Sequence, residues 1–217
     1  MSNQEILEKL KLKSITKQKV FNTSKEVFKE FKKCTKKLVN ELNQDDSLSK
    51  NNVIVNFKET NEFEFKLQFS ADVLIFHMHT NTFTFDKDHL IWKIPNIQKN
   101  HLDAYCGVIN VYNFLNDSFK YNRLNDLGFL IGRIFINKNK NFFTDGNISV
   151  SPIDKFGENS INPQYFNQIL KQLILYSIDF ELLSPKIEEI QVASVNDIIR
   201  INNESKLKTA KKLGFKF

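Results

Sequence analysis

Between Glu62 and Phe69 apolar and polar residues alternate without a fault. Phe63, Phe65, Leu67 and Phe69 fall on one face of an extended chain, and Glu62, Glu64, Lys66 and Gln68 on the other. Successive side chains of a strand point to opposite sides, so the pattern demands a strand with one buried and one wet face. Strands of that kind belong to antiparallel sheets, because parallel sheets are covered on both sides. Val53 to Lys58 is the expected hairpin partner across Thr60-Asn61. Asp72 to Asp86 gives one long or two shorter strands, and His89 to Ile94 a further one before Pro95. Leu127 to Asn137 and Asn141 to Thr144 read as a hairpin over Lys138-Asn139-Lys140, with Asp145-Gly146 as a tight turn into Ile148 to Ser151. Gly107 to Phe119 fits either period, and its apolar set Val108, Val111, Tyr112, Leu115 and Phe119 places it as a helix between two halves of the sheet.

On either side of this region the apolar period is helical. Thr23 and Glu26 have capping-box spacing, which starts a helix whose buried side carries Val27, Phe28, Phe31, Leu38, Val39 and Leu42. Its opposite face is a lysine stripe from Lys25 to Lys37. Ahead of it lies a short amphipathic stretch with Ile6, Leu7, Leu10, Leu12 and Ile15. Asn162 followed by Pro163 opens a second long helix through Phe166, Ile169, Leu170 and Leu173. Ile187 to Val192 reads as a last strand, and Ser194 caps a segment leading into a basic tail. The order of elements predicts an α+β fold: a largely antiparallel sheet of six to eight strands covered by N-terminal and C-terminal helices. Residues 1–22 form a helical arm, 23–200 a single domain and 201–217 a basic tail.

Of 217 residues, 41% are hydrophobic and 26% charged, which suits one well-filled core and excludes disordered and collagen-like classes. Apolar runs such as Val73 to Phe76 are far shorter than the about 18 residues of a membrane helix, and Met1 to Glu5 lacks a signal-peptide block. Two cysteines, Cys34 and Cys106, fit a reducing, cytoplasmic setting. The net charge of +6 is concentrated at the ends: residues 1–50 carry +5, residues 201–217 carry +4, and the stretch between them −3. Basic ends suit phosphate contacts, which makes nucleic acid a conceivable partner, though a lysine-rich codon bias accounts for the same residues.

No phosphate loop, dinucleotide fingerprint or Cys-x-x-Cys pair is present, so the sequence names no cofactor. His77 and His79 lie two apart in a strand, hence on one face, about 7 Å apart. They offer a two-ligand metal edge, with Asn81 continuing the face and Asp86, His89 or Asp103 as a third ligand, or else they mark the polar end of a core face. A second cluster runs from Asn110 through Asn116, Asp117, Tyr121, Arg123 and Asp126 to Arg133. In a chain with 28 Lys and three Arg, Arg123 and Arg133 suit a carboxylate or phosphate clamp, or a buried pair of Arg133 with Asp117 or Asp126. Cys106 beside His101 matches no protease signature and reads as a buried thiol.

Phe76-His77-Met78-His79-Thr80-Asn81, Tyr105-Cys106-Gly107-Val108-Ile109-Asn110 and Phe119-Lys120-Tyr121-Asn122-Arg123 resemble a family of uncharacterised bacterial proteins over residues 25–195. The resemblance implies a bacterial, cytoplasmic origin and carries no activity and no functional residue. The expectation is a non-catalytic cytosolic binding protein for an anionic small molecule or a protein partner, without membrane association. Its ligand-binding residues are His77, His79, Asn81, Tyr121, Arg123 and Arg133. The alternatives are a metal-assisted hydrolase on the His77/His79 strand and a nucleic-acid accessory protein acting through its basic termini.

Overall fold

A computed structural model describes residues 3–181, 184, 186–196, 198 and 199. The expected basic tail, 201–217, lies outside the described residues. The chain begins with α1 (Asn3–Lys9), passes through a π-turn at Leu10–Ser14 and continues as α2 (Ile15–Leu42). No Gly or Pro interrupts residues 1–42, so nothing breaks the helix where a cap was expected. Thr23 is an interior residue of α2, and its hydroxyl donates to the Lys138 carbonyl at 3.3 Å instead of capping. Residue 22 therefore lies within one continuous helix, whose buried side chains start at Thr16 and Val20.

After α3 (Asp46–Lys50) come β1 (Val55–Asn61), β2 (Glu64–Phe69) and β3 (Asp72–Met78). Residues 79–105 then leave the sheet, forming a 3-10 turn at Leu90–Lys93, α4 (Pro95–Lys99) and a second 3-10 turn at His101–Ala104. The chain returns as β4 (Cys106–Leu115), turns through α5 (Asn116–Lys120), and forms β5 (Phe129–Asn137) and β6 (Phe142–Gly146). Six strands pair in sequence order, each antiparallel to the next. Then follow α6 (Pro163–Ile178) and α7 (Ile187–Ile190). Asn162 caps α6 as expected, its side-chain oxygen accepting from the N–H groups of Gln164 at 2.9 Å and Tyr165 at 3.2 Å.

Four further expectations are corrected. Gly107 to Phe119 is not a helix but the strand β4 and the short α5: Cys106 to Ile109 are buried on both faces, and beyond them the core face carries Asn113 while the more open face carries Tyr112 and Phe114, so residue type does not alternate. His89 to Ile94 is not a strand: the His89 imidazole Nδ1 accepts from the Ile91 N–H at 3.2 Å and starts a 3-10 turn that buries Ile91 and Ile94. Ile148 to Ser151 forms no strand, since the Thr144 hydroxyl donates to the Ile148 carbonyl at 3.0 Å and the Thr144 N–H to that of Ser151 at 2.7 Å, curling the segment back on β6. Ile187 to Val192 begins as the single helical turn α7.

Helices α2 and α6 cover one face of the sheet. Phe31 of α2 stacks on Phe166 of α6 at 4.8 Å and 17°, and meets Phe65 of β2 and Phe76 of β3 edge-on at 6.0 and 5.3 Å. Those two strand rings stack on each other at 4.5 Å. Gly107 lets α2 approach β4 closely: a Cβ there would lie 2.2 Å from the Ser24 Oγ. Beside this core, the buried Lys32 donates from Nζ to the Glu59 carboxylate at 2.7 Å and to the carbonyls of Asn61 and Glu62 at 2.9 Å each. One ammonium thus ties α2 to the β1–β2 turn with all three of its donors satisfied.

Phe31→Ala is expected to remove about 3–5 kcal/mol of stability, read by urea unfolding, since neither helix can move in to fill the space. The hydrogen bond from Lys32 holds the Glu59 carboxyl below its ordinary range. A carboxyl lowered in the folded state contributes stability that is complete above the unfolded carboxyl's range and is lost as pH falls through the lowered value. The urea midpoint of the parent should therefore drop on acidification, and Glu59→Gln should abolish that part of the drop while lowering stability at neutral pH.

Candidate functional site

On the sheet face away from α2 and α6, strand alternation builds a polar row across five strands. Glu64, His77, Asn110, Arg133 and Asp145 stand directly opposite one another in turn from β2 to β6. One row further along, Phe135 of β5 pairs with Val108 of β4 and with Phe143 of β6. The His79 N–H donates to the Val108 carbonyl at 2.9 Å, extending the same level beyond the end of β3.

Residues 79–105 fold over this level. Phe83 bridges back to Cys106, and Phe85 packs against Phe135 at 5.4 Å, Phe143 at 5.8 Å and, in a stacked pair, His89 at 4.4 Å. A second apolar cluster of Ile91, Ile94, Ile97, Ala104, Cys106 and Phe156 fixes the segment from behind. Between the segment, the polar row and the loop after β6 lies a cleft of about 1000 Å³, lined by His79, Phe83, Phe85, Asn110, Arg133, Phe135, Phe143 and Asp145 among others. Asp86, Asp88 and His89 complete its rim.

Arg133 donates to the Asp145 carboxylate through Nε at 3.1 Å and through Nη2, so the guanidinium charge is already balanced. The second Asp145 oxygen accepts from the Gly146 N–H at 2.8 Å. This Gly has φ +89°, a left-handed conformation that suits a residue without a Cβ. Both cleft histidines serve the backbone: His79 Nδ1 accepts from the Asn81 N–H at 3.0 Å, and His89 Nδ1 caps the 3-10 turn.

The six residues expected to bind ligand divide between two places. His79 and Arg133 line the cleft, His77 stands in the row beside Asn110, and Asn81 serves His79 through its backbone. Tyr121 and Arg123 lie at the opposite end of β4, beyond α5. Arg123 is only 8% exposed, with Nη2 3.7 Å from Asp117 and Nε 3.5 Å from Asp126. Asp126 also accepts from the Ser118 hydroxyl at 2.7 Å. The buried pairing considered for Arg133 thus belongs to Arg123, which fixes the turn between β4 and β5. Asp145 and the aromatic floor were not among the expected residues. The signal was present, because counting the hairpin outward from Lys138-Asn139-Lys140 sets Arg133 opposite Asp145, which is the register observed.

The rings of His77 and His79 are 6.5 Å apart and nearly perpendicular. Among the described residues no group of three His, Cys, Asp or Glu side chains is placed to hold a metal ion. Cys106 is fully buried, and burial pushes its thiol well above the ordinary range, so it carries no nucleophile. Much of the lysine stripe on α2 is matched with acid: Lys25 with Glu62, Lys32 and Lys36 with Glu59, Lys33 with Glu30, and Lys37 with Glu41. Among the described residues no helix is long and apolar enough to cross a membrane.

Fold and site define an α+β protein built on a six-stranded antiparallel meander, with helices on one face and a cleft on the other. No family model, no curated protein and no solved structure matches this chain.

The two arginines should separate in stability. Arg123→Met strands the nearly buried Asp126 and should lower stability by about 3 kcal/mol, whereas Arg133→Met breaks a half-exposed pair and should lower it by less than about 1 kcal/mol. Equal losses in urea unfolding would contradict the division of roles.

Proposed function

We propose that the chain is a non-catalytic binding protein whose cleft takes a small molecule with a planar apolar body and a polar edge. The observation that carries this reading is the meeting of three phenylalanines, Phe85, Phe135 and Phe143, with the edge Asn110, Arg133 and Asp145 in one cleft. The exposed ring of Phe83 and the half-buried ring of Phe85, backed by the buried Phe135 and Phe143, offer an aromatic surface to a flat ligand. The edge presents an amide, a guanidinium and a carboxylate, so it supplies hydrogen-bond donors and acceptors side by side. The cleft lining is divided between apolar side chains and convergent polar groups, which a small-molecule site uses for contact and for orientation.

The ligand is neutral or cationic. Arg133 is balanced by Asp145, and Asp86 and Asp88 leave the rim negative, so an anion, the class the arginines suggested, meets repulsion. The non-catalytic reading is supported by the enclosure of Cys106 and by the use of His79 and His89 as backbone acceptors.

Trp92, the chain's single tryptophan, donates from its indole N–H to the Asp86 carbonyl at 2.7 Å and so reports on the cleft wall. Titration with adenine, indole and quinoline should give a saturable change in Trp92 emission with at least one of them. Quinoline-2-carboxylate should bind at least tenfold more weakly than quinoline. Asn110→Ala and Arg133→Gln should each weaken binding of the responding probe about tenfold, equivalent to about 1.4 kcal/mol, with the melting temperature nearly unchanged. The absence of saturable binding by all three probes, or binding indifferent to both substitutions, would sink the reading.

A further inference from the structure

At the other end of the helix-free face two like charges oppose each other across the sheet. Lys58 of β1 stands directly opposite Lys66 of β2, and both point away from the core side chains Phe57, Phe65 and Leu67. Directly opposed side chains have Cβ atoms about 4.5–5.5 Å apart, and like charges so placed destabilise a sheet. Lys66 is half-buried, with its Nζ 4.0 Å from the centre of the Phe119 ring, which draws the ammonium inward over the sheet. Lys120, from the last turn of α5, also lines the hollow, with its Nζ 5.0 Å from the centre of the neighbouring Tyr121 ring. The remaining polar lining is amide: Asn56, its cross-strand partner Gln68, and Asn116. Among the described residues lining this hollow of about 270 Å³ none is acidic.

A hollow lined by three lysines and no acid becomes more favourable around a multivalent anion, towards which these flexible side chains can swing. The compact volume limits that anion to a small group. We infer that this hollow is a binding site for a diphosphate group, with Lys58, Lys66 and Lys120 balancing its charge and Asn56, Gln68 and Asn116 donating to its oxygens. Lysine holds phosphate as a point charge, and three of them from β1, β2 and α5 surround the group from separate elements. The two sources of such a group are free pyrophosphate and the diphosphate of a nucleotide, whose base would meet the exposed rings of Phe119 and Tyr121. The site is separate from the aromatic cleft and does not depend on the reading given for it.

The test is calorimetric titration of the full chain with sodium pyrophosphate and with ADP, against sodium chloride of matched ionic strength. Saturable binding of pyrophosphate is expected, weakened at least tenfold in Lys58→Gln and in Lys66→Gln. Because Lys58→Gln also removes the cross-strand repulsion at an exposed position, it should raise the melting temperature of the ligand-free protein, the opposite of what loss of a structural lysine does. Equal affinity for the two ligands assigns the site to free pyrophosphate; at least tenfold tighter binding of ADP, lost in Tyr121→Ala, assigns it to a nucleotide. No binding beyond the chloride control, binding unchanged by both lysine substitutions, or a lowered melting temperature in ligand-free Lys58→Gln would overturn the assignment.

Discussion

The stacking of Phe31 on Phe166, with both strand rings Phe65 and Phe76 beneath, is the contact on which the rest of the molecule depends. It joins the N-terminal and C-terminal helices to the middle of the sheet at one point, although these elements are far apart in sequence. Once α2 and α6 share that face, the other face must be covered by something else or left open to water. Residues 79–105 cover one end of it, over Val108, Phe135 and Phe143, and the other end is left to lysines and amides. The two hollows therefore arise from the same division of the sheet.

Charge then decides what each hollow can hold. Near β6 the hairpin register sets Arg133 against Asp145, and Asp86 and Asp88 come from the overlying segment, so aromatic contact and hydrogen bonding dominate there. Near β1 the register sets Lys58 against Lys66 without an acid, so electrostatics dominate. Both outcomes follow from which residue faces which across a ladder. On the helix side the same bookkeeping runs the other way: the lysines of α2 meet Glu59 and Glu62 of the β1–β2 turn, and most of the apparent basic stripe is spent within the fold.

Legibility in the sequence followed burial. β2 was readable because one of its faces is apolar and the other polar, and α6 because Asn162 and Pro163 announce its start. β4 was not, because Cys106 to Ile109 are buried on both faces and beyond them Asn113 sits on the core face while Tyr112 and Phe114 sit on the other, so residue type does not follow burial. The His89 to Ile94 segment is mostly apolar like a strand but turns as a 3-10 helix, since its buried residues, Ile91 and Ile94, are three apart while Leu90 is exposed. Thr23 and Glu26 have the spacing of a cap, but a cap needs a helix that starts there, and the preceding run without Gly or Pro, already buried at Thr16 and Val20, carries α2 through. Of the site, Arg133 and His79 were legible as unusual residues, while the roles of Arg123 and Asp145 depended on the turn and the register that surround them.

The sequence by itself determined the α+β class, the one-faced antiparallel sheet and the helices at either end, because periodicity and caps act over a few residues and need no knowledge of distant partners. Only the tertiary structure decided which candidates share a site. Pairing in an antiparallel ladder brings together residues that are far apart along the chain, and it placed Arg133 beside Asp145 while sending Arg123 to the opposite end of β4. Local pattern carries the direction in which a side chain points, but neutralisation of its charge depends on the residue that the neighbouring strand sets against it.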